Sequence, residues 1–279
     1  VNGVLDVGDS VNGAVLAVVD GLVLNGTALV GNPTNGGWGR MEFAGSQSLS
    51  GNGTVVFGNA GSWFGYFWNT LRLLNGGTTL TLGPGITVRG QNGTIGFHAY
   101  YGGAQNVAVV NQGVISCDVS GGTSTINAQP FSNSGGTVSM SNGGSLGINY
   151  AVDVASVTAS GGGTLTLSSQ WFNSGVVTIN DSTLNLAGSW TNGGTINATN
   201  TVVNLGGTLA TTNLGTFNRS GGTVNLTGTL NNSNAVLSLD GLGGSCVLSG
   251  GTVAGGTVVA TNGASLVVSG SGTLDGVTV

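Results

Sequence analysis

The residues able to do chemistry are few and scattered. The chain of 279 residues carries nine acids (Asp6, Asp9, Asp20, Glu42, Asp118, Asp153, Asp181, Asp240 and Asp275), four arginines, one histidine, His98, two cysteines and no lysine. Hydrolysis of a glycosidic bond needs two facing carboxylates, and base-assisted cleavage needs an acid set beside a basic group. No acidic pair recurs along the chain. Asp6 and Asp9 are close in sequence, but in a turn after a strand they read as loop solvation. A metal site of the usual kind needs partners that a lone histidine lacks, and the calcium pattern Gly-Gly-X-Gly-X-Asp does not occur. His98 is expected to be solvated or to sit in an interface. The sequence therefore predicts no catalytic residue, no cofactor and no metal, and the chain is not expected to be an enzyme.

The elements that would position any site follow a rhythm. A bulky apolar residue returns about every twenty positions at Phe131, Tyr150, Trp171, Trp190, Leu209 and Leu230. Asparagine stands two places after Phe131, Trp190 and Leu230, at Asn133, Asn192 and Asn232. Beside this column run Leu165-Thr-Leu167, Leu184-Asn-Leu186, Val203-Asn-Leu205 and Val224-Asn-Leu226, each with two apolar side chains on one side and a small polar one on the other. Short alternating strands repeating at this interval, joined by Gly and Asn turns such as Ser134-Gly-Gly-Thr137, mark a solenoid. No sustained helical period occurs. The expected fold is all-β, a right-handed parallel β-helix of about 20 residues per coil, and roughly fourteen coils of about 4.8 Å each. Tyr150, Trp171 and Trp190 should form an internal ladder. Cys117 and Cys246 lie several coils apart, too far to bridge, and read as buried free thiols.

Residues 1–279 read as a single solenoid interrupted at 32–40, 58–69 and 98–104. These Gly-rich insertions carry Trp38, Trp63, Phe64, Tyr66, Phe67, Trp68, Tyr100 and Tyr101, more aromatic surface than a turn requires. They must either fold back over the solenoid or meet a partner. With Arg40 and His98 they form the candidate lateral interface or ligand surface, suited to a protein neighbour or to polysaccharide. Only 5% of residues are charged and the net charge is −5, so no nucleic-acid partner is expected. No apolar run is long enough for membrane insertion.

The end phrases are also of the solenoid type. Leu274-Asp-Gly-Val-Thr-Val279 runs into Asn2-Gly-Val-Leu-Asp-Val7 with its alternation almost unbroken. Bare strand edges recruit further strands. Head-to-tail contact is therefore expected through Val4, Leu5 and Val7 at one end and Leu274, Val277 and Val279 at the other, in a tandem repeat or a homopolymer.

The phrases Leu214-Gly-Thr-Phe-Asn-Arg-Ser-Gly-Gly-Thr-Val-Asn-Leu-Thr-Gly-Thr-Leu230, Gly250-Gly-Thr-Val-Ala-Gly-Gly-Thr-Val258 and Gly272-Thr-Leu-Asp-Gly-Val277 resemble the repeats of large secreted bacterial β-helix proteins of the filamentous-haemagglutinin and autotransporter-passenger type. The resemblance covers most of residues 75–279. It implies an extracellular or cell-surface fibre in adhesion or matrix building, and together with the end phrases the expected function is a structural filament of stacked units. The alternative is an adhesin stalk that binds carbohydrate or surfaces through the aromatic loops. It supplies no catalytic residues.

Overall fold

Parallel pairing fixes the architecture. The computed structural model describes residues 1–279 and winds the chain into about twelve stacked coils of roughly 22 residues. Each coil lays a strand on each of three faces. The first face runs from Val4–Val7 through Thr27–Val30 and Thr54–Phe57 to Thr216–Ser220, and the second from Ala14–Val18 to Leu266–Val268. The third begins at Leu22–Val23 and ends at Thr273–Asp275. The one antiparallel strand pair is Ser62–Trp63 with Tyr66–Phe67, inside the 58–69 insertion.

In-register pairing stacks like on like. Leu16, Met41, Leu71, Ile95, Ile126, Ile148, Leu167, Leu186, Leu205, Leu226, Leu248 and Val268 are Cα partners in succession, a single inward column on the second face. Alternation does the sorting, since every other side chain of a strand points inward. At Thr164–Ser168, for example, Leu165 and Leu167 are fully buried while their neighbours are half-exposed. The inward columns merge into one core of 58 buried residues.

The coils are fewer than the repeat predicts because those of the first half are long. There Thr27 pairs with Thr54, Thr54 with Thr87 and Thr87 with Val114. Later on the same face Val176 already meets its partner at Thr195, and each of the earlier coils takes more chain than this one. The insertions account for the longest of them.

The aromatic ladder is shorter than expected. Trp171 and Trp190 stack with ring centroids 5.0 Å apart and planes 7° from parallel, both buried. Tyr150 is not in the stack. Ala151 occupies the interior position opposite Phe131, and Tyr150, at φ +55, is turned aside and half-buried.

The asparagines of the repeat have a definite task. Where the chain turns from the third face to the first, backbone carbonyls point into the core and must be satisfied there. Asn133, buried, donates to the carbonyls of Val154 and Ser156, both at 2.9 Å, and accepts from Asn111 at 2.8 Å. Asn192 donates to the Leu214 carbonyl at 2.8 Å and accepts from Asn173 at 2.7 Å. Asn232 donates to the Thr257 carbonyl at 3.0 Å. Asn173, two places after Trp171, belongs to the same column, as does Asn111, which precedes the repeat.

Both thiols are free and buried. Burial raises the Cys117 thiol and pushes Cys246 up to about 11, so both stay protonated and unreactive.

Removing a buried amide strands the groups it satisfied, at about 1–3 kcal/mol, whereas a surface amide contributes within about 0.5 kcal/mol. Asn192→Ala should therefore lower stability by roughly 2 kcal/mol or more in urea unfolding. Asn218→Ala removes the exposed amide bonded to Asn197 on the first face and should leave the midpoint nearly unchanged. Equal effects of the two substitutions would refute the structural role given to the corner amides.

Candidate functional site

Three loops meet over one patch of the second face. Each is pinned by polar side chains as well as by aromatic contacts. In the 32–40 insertion, Asn32 Oδ1 accepts the N–H groups of Thr34 and Asn35, and its Nδ2 donates to Asp9 Oδ1 at 2.8 Å. The 58–69 insertion closes as a hairpin whose central residues, Phe64 and Gly65, both have positive φ, the geometry that suits a two-residue connection. Buried Asn69 ties its base, donating to the carbonyls of Gly58 and Asn92, both at 3.0 Å. The third loop leaves the second face at Phe97 and is anchored by His98.

The loops fold back onto the sheet. Strands Thr70–Leu73 and Gly93–Gly96 are buried at every residue, whereas Gly39–Phe43 beside them alternates. Trp38 lies 6.2 Å from Trp68 and 5.8 Å from Tyr101, centroid to centroid. Tyr100 packs edge-on to Trp68 at 4.7 Å and to Trp63 at 5.4 Å, and Phe64 continues the row against Trp63 at 4.7 Å. The inner rings are half-buried. Phe64 is 83% exposed, Tyr100 53% and Trp63 47%. The cluster is thus both a cover for the sheet and an uncovered apolar edge.

Charge lies beneath it. Arg72 Nη1 is 2.6 Å from Glu42 Oε1, and its Nη2 donates to the carbonyls of Tyr101 and Gly102. Arg40 Nε lies 3.1 Å from the same carboxylate oxygen, an ion pair without hydrogen-bond alignment, and its guanidinium stands 4.3 Å from the Tyr101 ring. Two arginines share one glutamate, leaving a local positive surplus in a chain of net charge −5.

His98 is buried rather than solvated, which corrects the sequence expectation. Its Nε2 faces the Phe67 carbonyl at 2.9 Å, and its Nδ1 lies 3.4 Å from the Tyr101 backbone N–H. One nitrogen donates and the other accepts, which fits the neutral ring. Burial is the main cause that lowers its pKa to about 4, with Arg72 and Arg40 adding to the effect. Burial also pushes the stacked Tyr101 hydroxyl up to about 12. This hydroxyl donates to the Trp68 carbonyl. Tyr66 and Phe67 serve the hairpin: Tyr66 packs against Phe97 and the core, and the Phe67 N–H reaches Thr94 Oγ1 at 3.2 Å.

Several of the acids hold local structural contacts. Asp6 accepts from Asp9 and Ser10, Asp153 from Ala155 and Ser174, Asp118 pairs with Arg89 at 2.7 Å, and Asp240 binds Thr261 and Asn262. No three His, Cys, Asp or Glu residues lie close enough to share a metal ion. No helix is long and apolar enough to cross a membrane.

The end residues divide by side. Leu5 and Val7 point inward, opposite Ala28 and Val30, but Val4 points outward at 70% exposure, because side chains alternate along the strand. Leu274 continues the inward column of Leu230 and Val253. Val277 packs against the core, and Val279 follows Thr278, which bridges Thr257. Compared with known proteins, the chain matches no family model, and no curated protein and no solved structure shows significant similarity to it.

His98 makes stability pH-dependent with a definite sign. Its pKa is lower folded than unfolded, so the unfolded chain takes up the proton first, and stability falls as pH drops below about 6.5 towards 4. The loss should approach roughly 2–3 kcal/mol near pH 4. His98→Gln should remove that component, read as the difference between variant and parent melting temperatures from pH 8 to 4. A constant difference across the range would refute the assignment.

Proposed function

We propose that this chain is a structural segment of an extracellular, cell-surface fibre in which coils stack along one axis. The partner is a coil of the same geometry, supplied by a copy of the chain or by further repeats of the same polypeptide. One observation carries the reading: the inward columns reach both end coils with apolar side chains uncovered. Leu5 stands half-buried at the start of the first face, and Val279, 74% exposed, lies in the last coil. Leu16 begins the second-face column, and Val268, 60% exposed, ends it, while Leu274 is 45% exposed on the third face. A matching coil continues these columns and supplies partners for the N–H and C=O groups of the edge strands. The sparse charge and the resemblance to secreted bacterial repeat proteins support the extracellular setting.

The uncovered row of Trp63, Phe64 and Tyr100 favours a lateral contact as well, or the adhesin reading, in which the same rings meet carbohydrate. End-on stacking should appear in electron micrographs as rods whose lengths are multiples of one unit. Leu5→Lys with Leu274→Lys should return single particles. Phe64→Ser with Trp63→Ser should leave rod length unchanged and abolish side-by-side bundling. Single particles at every concentration from the parent chain would overturn the fibre reading, and glycan binding lost in the Phe64/Trp63 variant would favour the adhesin.

A further inference from the structure

Away from the loops and the ends, the outer side of the third face carries a groove of about 650 Å³. Its floor includes Phe172 and Thr191, and Tyr150, Gln170, Asn213 and Asn231 line it as well. No charged residue lines it. The ring of Phe172 is 39% exposed on the strand Gln170–Asn173, whose alternate residues, Trp171 and Asn173, are buried in the core.

Tyr150 is the unusual member. It sits at the corner between second and third faces, where the register places Ser169, Gly188 and Gly207 in the three following coils. All four have positive φ, at +55, +68, +78 and +68. Glycine takes this backbone conformation freely and a bulky side chain does so only under strain. Strain of this kind is tolerated where a side chain is needed for something other than the fold. The fold's own requirement at this rung is met by Ala151, which fills the interior opposite Phe131. The Tyr150 ring is thereby left to the groove.

We propose that this groove binds an uncharged oligosaccharide, with the rings of Tyr150 and Phe172 against the C–H faces of sugar units and the side-chain amides and hydroxyls bonded to sugar hydroxyls. Amides and hydroxyls both donate and accept, as sugar hydroxyls do. An aromatic face offers apolar area without charge, and the neutral lining offers no counter-charge for a uronic acid or a phosphate. An extended peptide fits less well, since the floor is the face of a sheet whose backbone groups are already paired along the ladder. The proposal does not depend on the fibre reading, because the groove lies on the outer side of middle coils.

The test is titration calorimetry of the full chain with cellohexaose, laminarihexaose, mannohexaose and xylohexaose, and with hexagalacturonate as the charged control. Saturable one-to-one binding of at least one neutral hexasaccharide is expected, with no binding of the control. Tyr150→Gly should weaken that binding tenfold or more while the melting temperature stays level or rises, because glycine suits the corner. Phe172→Ser, a change at a partly exposed sheet position, should weaken binding to a similar degree. The Phe64→Ser/Trp63→Ser variant should bind as the parent does. Absence of binding by every neutral hexasaccharide, equal binding of hexagalacturonate, or unchanged affinity in both groove variants would overturn the proposal. A fall in melting temperature for Tyr150→Gly would overturn the claim that the fold does not need this tyrosine.

Discussion

Outside the hairpin of the 58–69 insertion, each strand of this protein is bonded in parallel to the strand of the next coil, about 4.8 Å away, and that spacing constrains everything else. A side chain is surrounded above and below by the occupants of its own position in neighbouring coils. Leucine therefore meets leucine, Trp171 meets Trp190, and a corner carbonyl repeats at every turn and needs a repeated donor. The interior asparagines answer that need, and the glycines answer the matching one of space. At Gly39 a Cβ would come within 1.7 Å of the Val7 carbonyl oxygen, so backbone stacks on backbone there without side chains.

This constraint explains why so much of the fold could be read from residue spacing. Leu165 and Leu167 return as Leu184 and Leu186 at the same interval that separates Trp171 from Trp190, because the coils there contain little beyond three strands and three corners. Where residues are added, spacing ceases to report geometry. The coil that begins at Thr54 does not come back into register until Thr87, and no period marks its return. Tyr150 shows a finer limit. It stands at nearly the repeat distance from Phe131, but a corner displaced by a single position hands the interior place to Ala151. Local pattern cannot distinguish a bulky residue in the core from one at the turn beside it. The candidate surface was legible as a set of aromatic loops, but their convergence was not, because it depends on the register that sets Arg40, Thr70 and Thr94 side by side. The burial of His98 is hidden for the same reason. A lone histidine in a Gly-rich loop carries no sign that Phe67, from the preceding coil, will close over it.

The loop cluster and the groove take opposite approaches to the same scaffold. The loops add chain and build a second layer, held by an arginine–glutamate–arginine group and by a histidine kept neutral through burial. The groove adds little chain and modifies the outer side of the sheet by turning one side chain out of line. A solenoid allows both because outward residues are not needed for closure of the coil, so surface features can change while the inward columns stay fixed.

On the outer side of the second face, Asn225 donates to Asn204 at 2.8 Å, Asn204 to Asn185 at 2.7 Å, and Asn185 on to Thr166 at 3.4 Å. Every bond in this row points the same way along the axis, so the amide dipoles add instead of cancelling. Deamidation of the middle residue would place a carboxylate where the Asn204 amide now donates, facing the Asn185 oxygen as one acceptor to another. A change that adds almost no mass at Asn204 would thus break the row towards Asn185 and put a negative charge into a previously neutral stripe. Slow chemical ageing at one position would in this way be felt by the coils on either side.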